Sequence, residues 1–369
     1  MRKILHLTEA LAGGVLHSIA LLANEQVRAG HSVTLLHSLR PDTPDEEILR
    51  QLFDPQVRRV IIHMRSEIGP MDLKSLTILL GFFTRGKYDA IHCHSSKAGA
   101  LGRIAALLTF QIGKTCYSPH GFSFLRRDVS SRKRMAFLWI ERLLHSLGGK
   151  ISACSATERD YAKIYLKKRH TYLLENAIDL DTIPEKTPEQ RMGDEAVIIA
   201  ISGRVTYAKA PWRFAEVARK LSCEGNTRFM WLGDGDATLK KEWIGDSPVE
   251  VSGWLNKARL MQALAGSDIF LFTSLWEGLP IALIEAQAIG IPAVVTNIVG
   301  NKDIVVHGET GFLADSEEEI LIYTKKLAED AGLRRRMGHA ARQHALRRFN
   351  KNKLLETSFS IYFGAEKAS

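Results

Sequence analysis

Asp268-Ile-Phe-Leu-Phe-Thr273 and, three residues on, Glu277-Gly-Leu-Pro-Ile-Ala-Leu-Ile-Glu285 form the stretch on which the fold turns. The first is a short apolar run of the length of a buried strand. In the second, Pro280 suits the first position of a helix, where a missing N–H costs nothing. The helix is expected from Ile281 to Ile289, with Gly290 as its C-terminal cap. Glu277 then lies in the loop at the carboxyl end of a strand, and Glu285 on the following helix. In an open parallel sheet that crevice receives ligands. The amides of Gly278 and Leu279 are expected to point from the helix N-terminus at a bound phosphate. A lone pair of glutamates is also compatible with an ordinary surface loop and a helix-face carboxylate, so the rest of the chain must decide.

Outward from this stretch, both halves alternate strands with helices, the pattern of a doubly wound α/β sheet. The first half offers Lys3-Ile-Leu-His-Leu7, a helix from about Val15 to Ala29, Ser32-Val-Thr-Leu-Leu36, Asp89-Ala-Ile-His92, Cys116-Tyr-Ser118 and Lys150-Ile-Ser-Ala-Cys154. The second restarts with Ala196-Val-Ile-Ile-Ala-Ile-Ser202 and continues through Arg228-Phe-Met-Trp-Leu232, Val249-Glu-Val251 and Pro292-Ala-Val-Val295. Residues 181–195, rich in Pro, Glu and Thr with no apolar periodicity, read as a linker. The expected architecture is two Rossmann-like domains facing a central cleft, a preferred place for ligands.

The 369 residues, 45% hydrophobic and 25% charged, suit a soluble multidomain protein. No apolar run reaches the roughly 18 residues that span a bilayer. The start, Met1-Arg-Lys-Ile-Leu-His-Leu-Thr, lacks the apolar core and cleavage site of a signal peptide. Cys93, Cys116, Cys154 and Cys223 have no CxxC spacing and read as reduced core thiols of a cytoplasmic protein. His92 and His94 share a strand face, but no matching Cys/His cluster accompanies them, and no metal site is expected. Residues 1–180 carry 26 Lys/Arg against 16 Asp/Glu, a net of +10, and residues 181–369 carry 24 against 25, a net of −1. The basic excess belongs to the first half and calls for an anionic partner there.

Several short constellations carry chemistry. Gly203-Arg204 follows a strand and Lys209 precedes a helix; an Arg fork and a Lys point charge there can clamp a diphosphate. Gly13-Gly14 after the first strand is a plain tight turn or one that lets backbone N–H groups approach a phosphate. Pro119-His120-Gly121 places His120 on the loop at the carboxyl end of a strand. Phe124 to Leu147 holds Arg126, Arg127, Arg132, Lys133 and Arg134 beside an apolar helix. Ala136, Ile140, Leu143 and Leu147 make its expected core stripe, widened by Phe137, Leu138 and Trp139. Such a helix can lie on an anionic bilayer. It lacks the interleaved aromatic platform of a nucleic-acid groove, so no nucleic acid is expected.

Glu-x7-Glu with an internal Gly-Leu-Pro, followed by Glu285-Ala and Gly290-Ile-Pro-Ala-Val, resembles the donor-site signature of retaining glycosyltransferase family 4. The resemblance runs from the first strand to a helix around Lys351–Phe363 and is strongest over Gly203–Phe312. It implies the GT-B fold, with an acceptor domain at 1–180, a donor domain at 196–345 and a last segment, 346–369, crossing back to the first domain. It gives Glu285 the ribose hydroxyls, Glu277 and His120 the transferred sugar, and Arg204 and Lys209 the diphosphate. Gly13, Gly14, Gly203, Gly278 and Leu279 approach the nucleotide-sugar, and His94 and Lys97 the acceptor. Two departures stand out: Ala177 replaces the usual Gly of an Asn-Gly-Val-Asp turn, and Gly300-Asn301-Lys302-Asp303 stands for Gly-Gly-x-x-Glu. Asp234-x-Asp236 looks like a metal–diphosphate motif of another glycosyltransferase fold. Here it occupies a family turn near the nucleotide, so no metal is expected.

The implied reaction is transfer, with retention, of a hexose or N-acetylhexosamine from a nucleotide-sugar, UDP-linked by preference, to a hydroxyl of a glycan or polyprenyl-diphosphate-linked acceptor. Bacterial surface polysaccharide synthesis at the inner face of the cell membrane fits the charge. No resident cofactor is needed. A UDP-sugar epimerase of the same fold, or a noncatalytic nucleotide-sugar or membrane-binding subunit, is the alternative. The absence of GxGxxG after the first strand argues against an NAD-dependent enzyme.

Overall fold

The computed structural model describes residues 1–64, 69–167, 170–184, 196–223 and 225–364. The expected linker lies, from residue 185 on, outside the described residues. The chain forms two compact units: residues 1–177 with the segment from Lys351 on, and residues 178–350.

In the first unit, seven strands form one parallel sheet: β1 (Lys3–Thr8), β2 (Ser32–His37), β3 (Arg58–Ile61), β4 (Ala90–His94), β5 (Thr115–Ser118), β6 (Lys150–Ala153) and β7 (Thr171–Leu173). Their order is β3-β2-β1-β4-β5-β6-β7. β1 pairs with β2 on one side and β4 on the other, Leu7 standing opposite Leu36 and Cys93. The order therefore reverses between β1 and β4, which is the crevice-forming switch point of such sheets. Central strands are buried on both faces, so β4 is buried from Ala90 to His94 even though it carries two histidines. The first helix, Gly13–Arg28, begins on the glycines rather than after them, because Ala12 is extended and caps the helix. The helix Lys351–Phe363 belongs to this unit and packs Leu354, Ile361 and Tyr362 with Ile4, Leu22, Ala90 and Cys116.

The second unit repeats the plan with β8 (Val197–Ser202), β9 (Thr227–Leu232), β10 (Val249–Val251), β11 (Ile269–Phe272), β12 (Ala293–Thr296) and β13 (Gly311–Ala314). Their order, β10-β9-β8-β11-β12-β13, reverses between β8 and β11. The helix Ile281–Ile289 is apolar nearly all round and is correspondingly buried, with Ala282 half-buried as its most open position. Its bounds agree with the sequence, but Pro280 is its N-cap with extended ψ of 116° and not its first helical residue. The carbonyl of Pro280 accepts from Leu283 and Ile284, so the first-turn amides belong to residues after Pro280. Gly278 and Leu279 lie ahead of the helix and are buried.

Two expectations are corrected here. Cys93, Cys116 and Cys154 are buried, but Cys223 is exposed at the end of the helix Pro211–Ser222. In the helix Ser131–Ser146 the inward residues are Glu141, Leu144 and His145. Ala136, Ile140 and Leu143 are exposed, and Leu147 is half-buried. A buried polar network turns the helix. Arg103 donates to Glu141 at 3.0 Å, the Tyr117 hydroxyl donates to the other carboxylate oxygen at 2.8 Å, and the Arg103 guanidinium lies 4.2 Å from the Tyr117 ring centre. An unpaired buried charge costs several kcal/mol, so Glu141 keeps the interior position beside Arg103 and Tyr117.

Candidate functional site

In the second unit, every expected donor residue lies just beyond the carboxyl end of a strand or on the helix that follows. Gly203 and Arg204 follow β8, and Lys209 ends a short 3-10 turn, Tyr207–Lys209. Ala210, left-handed at φ 46°, then turns the chain into the helix Pro211–Ser222. The Thr273 hydroxyl after β11 donates to the Lys209 carbonyl at 2.9 Å, and the Leu275 amide donates to the Ala208 carbonyl at 2.8 Å. These bonds bring the two loops together. As a result Lys209 Nζ lies 2.7 Å from Glu277 Oε1 and 4.2 Å from the centre of the Phe272 ring. Both partners are mostly shielded, with 18% and 15% of their side chains exposed, so screening is weak. Arg204 is half-buried beside them in the chain.

The floor of this site is backbone packed on backbone. Gly233 has φ 146°, and a Cβ on it would fall 2.3 Å from the Gly203 carbonyl oxygen. That oxygen accepts from the Trp231 indole N–H at 2.8 Å. Gly300 has φ 84°, and a Cβ on it would fall 2.5 Å from the Gly278 carbonyl oxygen. The Gly300–Asp303 loop therefore closes directly on the loop of Glu277. The departure from the family pattern keeps a cap, because Asp303 Oδ2 accepts from the Gly300 amide at 3.0 Å. Asp234 is paired with Lys240 and accepts from the Gly235 amide at 2.8 Å; these contacts hold its carboxyl below the usual range. Asp236 caps the helix Ala237–Trp243 through Leu239. Both carboxylates of the Asp-x-Asp sequence are thus occupied by the chain's own donors.

Glu285 is 5% exposed and ion-paired with Lys257, the first residue of the helix Lys257–Ala265. Sequence reading missed Lys257. Its 28-residue separation from Glu285 leaves no local signal.

In the first unit, Gly13 and Gly14 are exposed, and Gly13 has φ 53° with open space where a side chain would stand. His120 also has positive φ, 53°, which is unusual for a residue with a Cβ. Its turn is held by Glu158, a fully buried carboxylate that accepts from the amides of Gly121 at 2.7 Å and Cys154 at 2.8 Å. His120 is half-buried, and desolvation lowers its pKa to about 4. It joins a chain of imidazoles that sequence reading saw only in part. His120 Nε2 lies 3.0 Å from His94 Nδ1, His94 Nε2 lies 2.9 Å from His6 Nδ1, and His6 Nε2 lies 2.8 Å from Gln26 Oε1. His6 comes from β1, the strand beside β4, and an alternation of inward positions on neighbouring strands was the available signal.

His94 is 1% exposed, with both ring nitrogens turned to other histidines. Lys97 is 9% exposed and pairs with Asp72 at 2.7 Å. Neither of the two expected acceptor contacts presents its polar atoms to solvent. Glu9, also missed, is buried at the end of β1 and accepts from the Ser95 hydroxyl at 2.5 Å and the Ala98 amide at 3.0 Å.

Among the described residues no helix is long and apolar enough to cross a membrane. The helix Ser131–Ser146 instead exposes Met135, Trp139, Ile140 and Leu143, with Arg132 and Lys133 exposed in its first turn. Arg142 lies 5.2 Å from the Trp139 ring centre.

Two family models match the chain, one for glycosyl transferases group 1 over residues 182–344 and one for glycosyltransferase family 4 over residues 12–182. The UDP-Gal:alpha-D-GlcNAc-diphosphoundecaprenol alpha-1,3-galactosyltransferase of Escherichia coli is 30% identical over 296 residues, covering 73% of this chain and 72% of that protein. The capsular polysaccharide biosynthesis glycosyltransferase CapM of Staphylococcus aureus is 24% identical over 344 residues, covering 86% and 87%. The crystal structure of HepE of Anabaena in complex with UDP and glucose has the same fold, with a TM-score of 0.76 and 18% identity over 97% of this chain and 98% of that one.

Proposed function

This chain belongs to glycosyltransferase family 4, and from that premise we propose that it moves a hexose or N-acetylhexosamine from a UDP-linked donor to a hydroxyl of a glycan or lipid-linked acceptor, retaining the anomeric configuration. It is a glycosyltransferase of the GT-B fold. The observation that carries the finer reading is the Lys209–Glu277 pair just beyond the carboxyl ends of β8 and β11. The second unit is then the donor domain and the first the acceptor domain.

Departure of a nucleoside diphosphate concentrates negative charge on the leaving oxygen. Arg204 and Lys209 supply cations there, which is electrostatic stabilisation by groups already in place. Gly203 and Gly278 put no side chain in the diphosphate's way, Leu279 keeps its own side chain buried, and Gly13 and Gly14 are assigned to the nucleotide-sugar as well. Glu285 accepts from the ribose hydroxyls. Glu277, held by Lys209, orients the transferred sugar, and His120 contacts it. The acceptor hydroxyl bonds to the anomeric carbon on the face from which the diphosphate departs, so no enzymic nucleophile is needed, and the leaving phosphate takes the acceptor proton in place of an enzymic base. His94 and Lys97 act on the acceptor side through the residues they hold, given their burial. The donor is a co-substrate, and no resident metal or cofactor takes part.

The Escherichia coli relative's name specifies a UDP-sugar donor and a diphosphoundecaprenol-linked sugar acceptor, and the Staphylococcus aureus relative's name specifies capsular polysaccharide. Both support a role in bacterial surface polysaccharide synthesis, which we assign to the inner face of the cell membrane. The exposed apolar and basic residues of the helix Ser131–Ser146 support contact with an anionic bilayer.

The test is product analysis with UDP-hexoses, with and without a polyprenyl-diphosphate-linked sugar. The expected outcome is an acceptor-dependent glycoside of the donor's own anomeric configuration. Conversion of the donor sugar without acceptor would identify an epimerase instead.

A further inference from the structure

The imidazole chain Gln26–His6–His94–His120 has a direction. A neutral imidazole has one donor and one acceptor nitrogen, and burial keeps these rings neutral. Desolvation holds His6 at about 4, against the opposing hydrogen bond to Gln26, and His94 well below its usual value. With the Gln26 amide turned so that Oε1 faces the ring and Nε2 is left without a hydrogen-bond partner, Gln26 accepts from His6, which therefore carries its hydrogen on Nε2. His6 Nδ1 must then accept from His94 Nε2–H, and His94 Nδ1 from His120 Nε2–H. His120 is left with Nδ1 as a bare acceptor. We propose that Gln26, His6 and His94 are positioning residues that lock His120 in its Nε2–H tautomer, so that Nδ1 accepts a hydroxyl hydrogen of the transferred sugar or the acceptor. The proposal rests on the reading above that places His120 at the sugar.

The same histidines could suggest a metal, since His6, His92 and His94 offer nitrogens within 4.8 Å of one another. All six of their ring nitrogens are already engaged. His92 uses Nδ1 toward the Tyr362 hydroxyl at 2.6 Å and Nε2 toward the Ser118 hydroxyl at 2.8 Å. A metal ion would break this network, whereas the tautomer lock uses it whole. The left-handed backbone of His120, fixed through Glu158 and Gly121, aims the last ring of the chain.

The experiment is long-range 1H–15N spectroscopy of the full chain labelled with [15N]histidine, together with elemental analysis. The expected spectrum at neutral pH shows protonated Nε2 and unprotonated Nδ1 for His6, His94 and His120. Gln26→Leu is expected to give mixed tautomers at His120 and to lower kcat about tenfold, the scale of losing an outer hydrogen-bond partner, with donor Kd unchanged. A protonated Nδ1 at His120 in the wild type, or a stoichiometric metal, would overturn the lock. Should Gln26→Leu fail to fold, the wild-type spectrum decides alone. Full kcat in His120→Ala would instead remove the sugar-contacting role while leaving the spectrum intact, so the two failures are distinguishable.

Discussion

Lys209 and Glu277 are 68 residues apart in sequence, yet their side chains meet at 2.7 Å across the switch point of the second sheet. The pair neutralises a carboxylate that would otherwise repel a diphosphate, and it holds a cation where that diphosphate is proposed to sit. On donor binding Lys209 can bridge Glu277 and the phosphate, while the second carboxylate oxygen of Glu277 accepts from a sugar hydroxyl.

Removing the charge of Glu277 should therefore affect turnover more than affinity. Glu277→Gln is expected to lower kcat about 100-fold, the scale of losing one preorganised electrostatic contact, with donor Kd within a few-fold of wild type. Steady-state kinetics and calorimetry measure both. Near-normal kcat would remove Glu277 from the sugar site.

Glu285 and Lys257 should behave as one unit. Glu285→Ala is expected to weaken UDP-sugar binding more than tenfold, about 1.4 kcal/mol or greater. Lys257→Met leaves a buried carboxylate without its cation, so Tm and donor affinity should both fall. The double variant should be no weaker in donor binding than Glu285→Ala alone. Additive losses in calorimetry would show that Lys257 contacts the donor independently.

Buried His6 and half-buried His120 make folding acid-sensitive. His6 and His120 titrate at about 4 in the folded chain against 6.5 when solvated, because burial disfavours the imidazolium. Between those values the unfolded chain binds more protons, so stability falls as pH falls through that window and is unaffected by these groups above it. His6 alone accounts for about 3 kcal/mol. Urea midpoints taken from pH 8 to 5 should decline below pH 6.5, before most carboxylates titrate. A flat profile across that interval would contradict the burial of neutral imidazoles.

The face of the helix Ser131–Ser146 gives a surface prediction. Trp139→Ala with Leu143→Ser should leave stability within about 0.5 kcal/mol per site, since both side chains are more than 60% exposed. Sedimentation with anionic vesicles should fall in that variant, and in the wild type at high salt. Equal sedimentation of variant and wild type would place membrane contact elsewhere or nowhere.

Much of this was legible in local sequence. Asp268–Thr273 declared a buried strand, Pro280 and Gly290 bounded the helix Ile281–Ile289, and the repeated strand–helix alternation pointed to two Rossmann-like sheets. Lys209 and Glu277 were each visible as cleft residues because strand ends fix where loops lie. Long-range partners were not visible: Lys257 for Glu285, Glu158 beneath His120, and His6 beside His94 depend on which strands and helices become neighbours. The helix Ser131–Ser146 was oriented wrongly because its apolar count favoured one stripe, whereas Arg103 and Tyr117 claim Glu141 for the interior. Pro280 was misplaced by one position because either side of a helix start tolerates a residue without an N–H.

The most direct test of donor binding by the second unit is thermal unfolding against UDP-, GDP-, ADP- and CMP-linked sugars, with and without EDTA. The expected result is stabilisation by UDP-sugars, about 2.7 kcal/mol at a hundredfold excess over Kd, unaffected by EDTA and lost in Glu285→Ala. No stabilisation of the folded wild type by any of these sugars, or a shift abolished by EDTA, would contradict it.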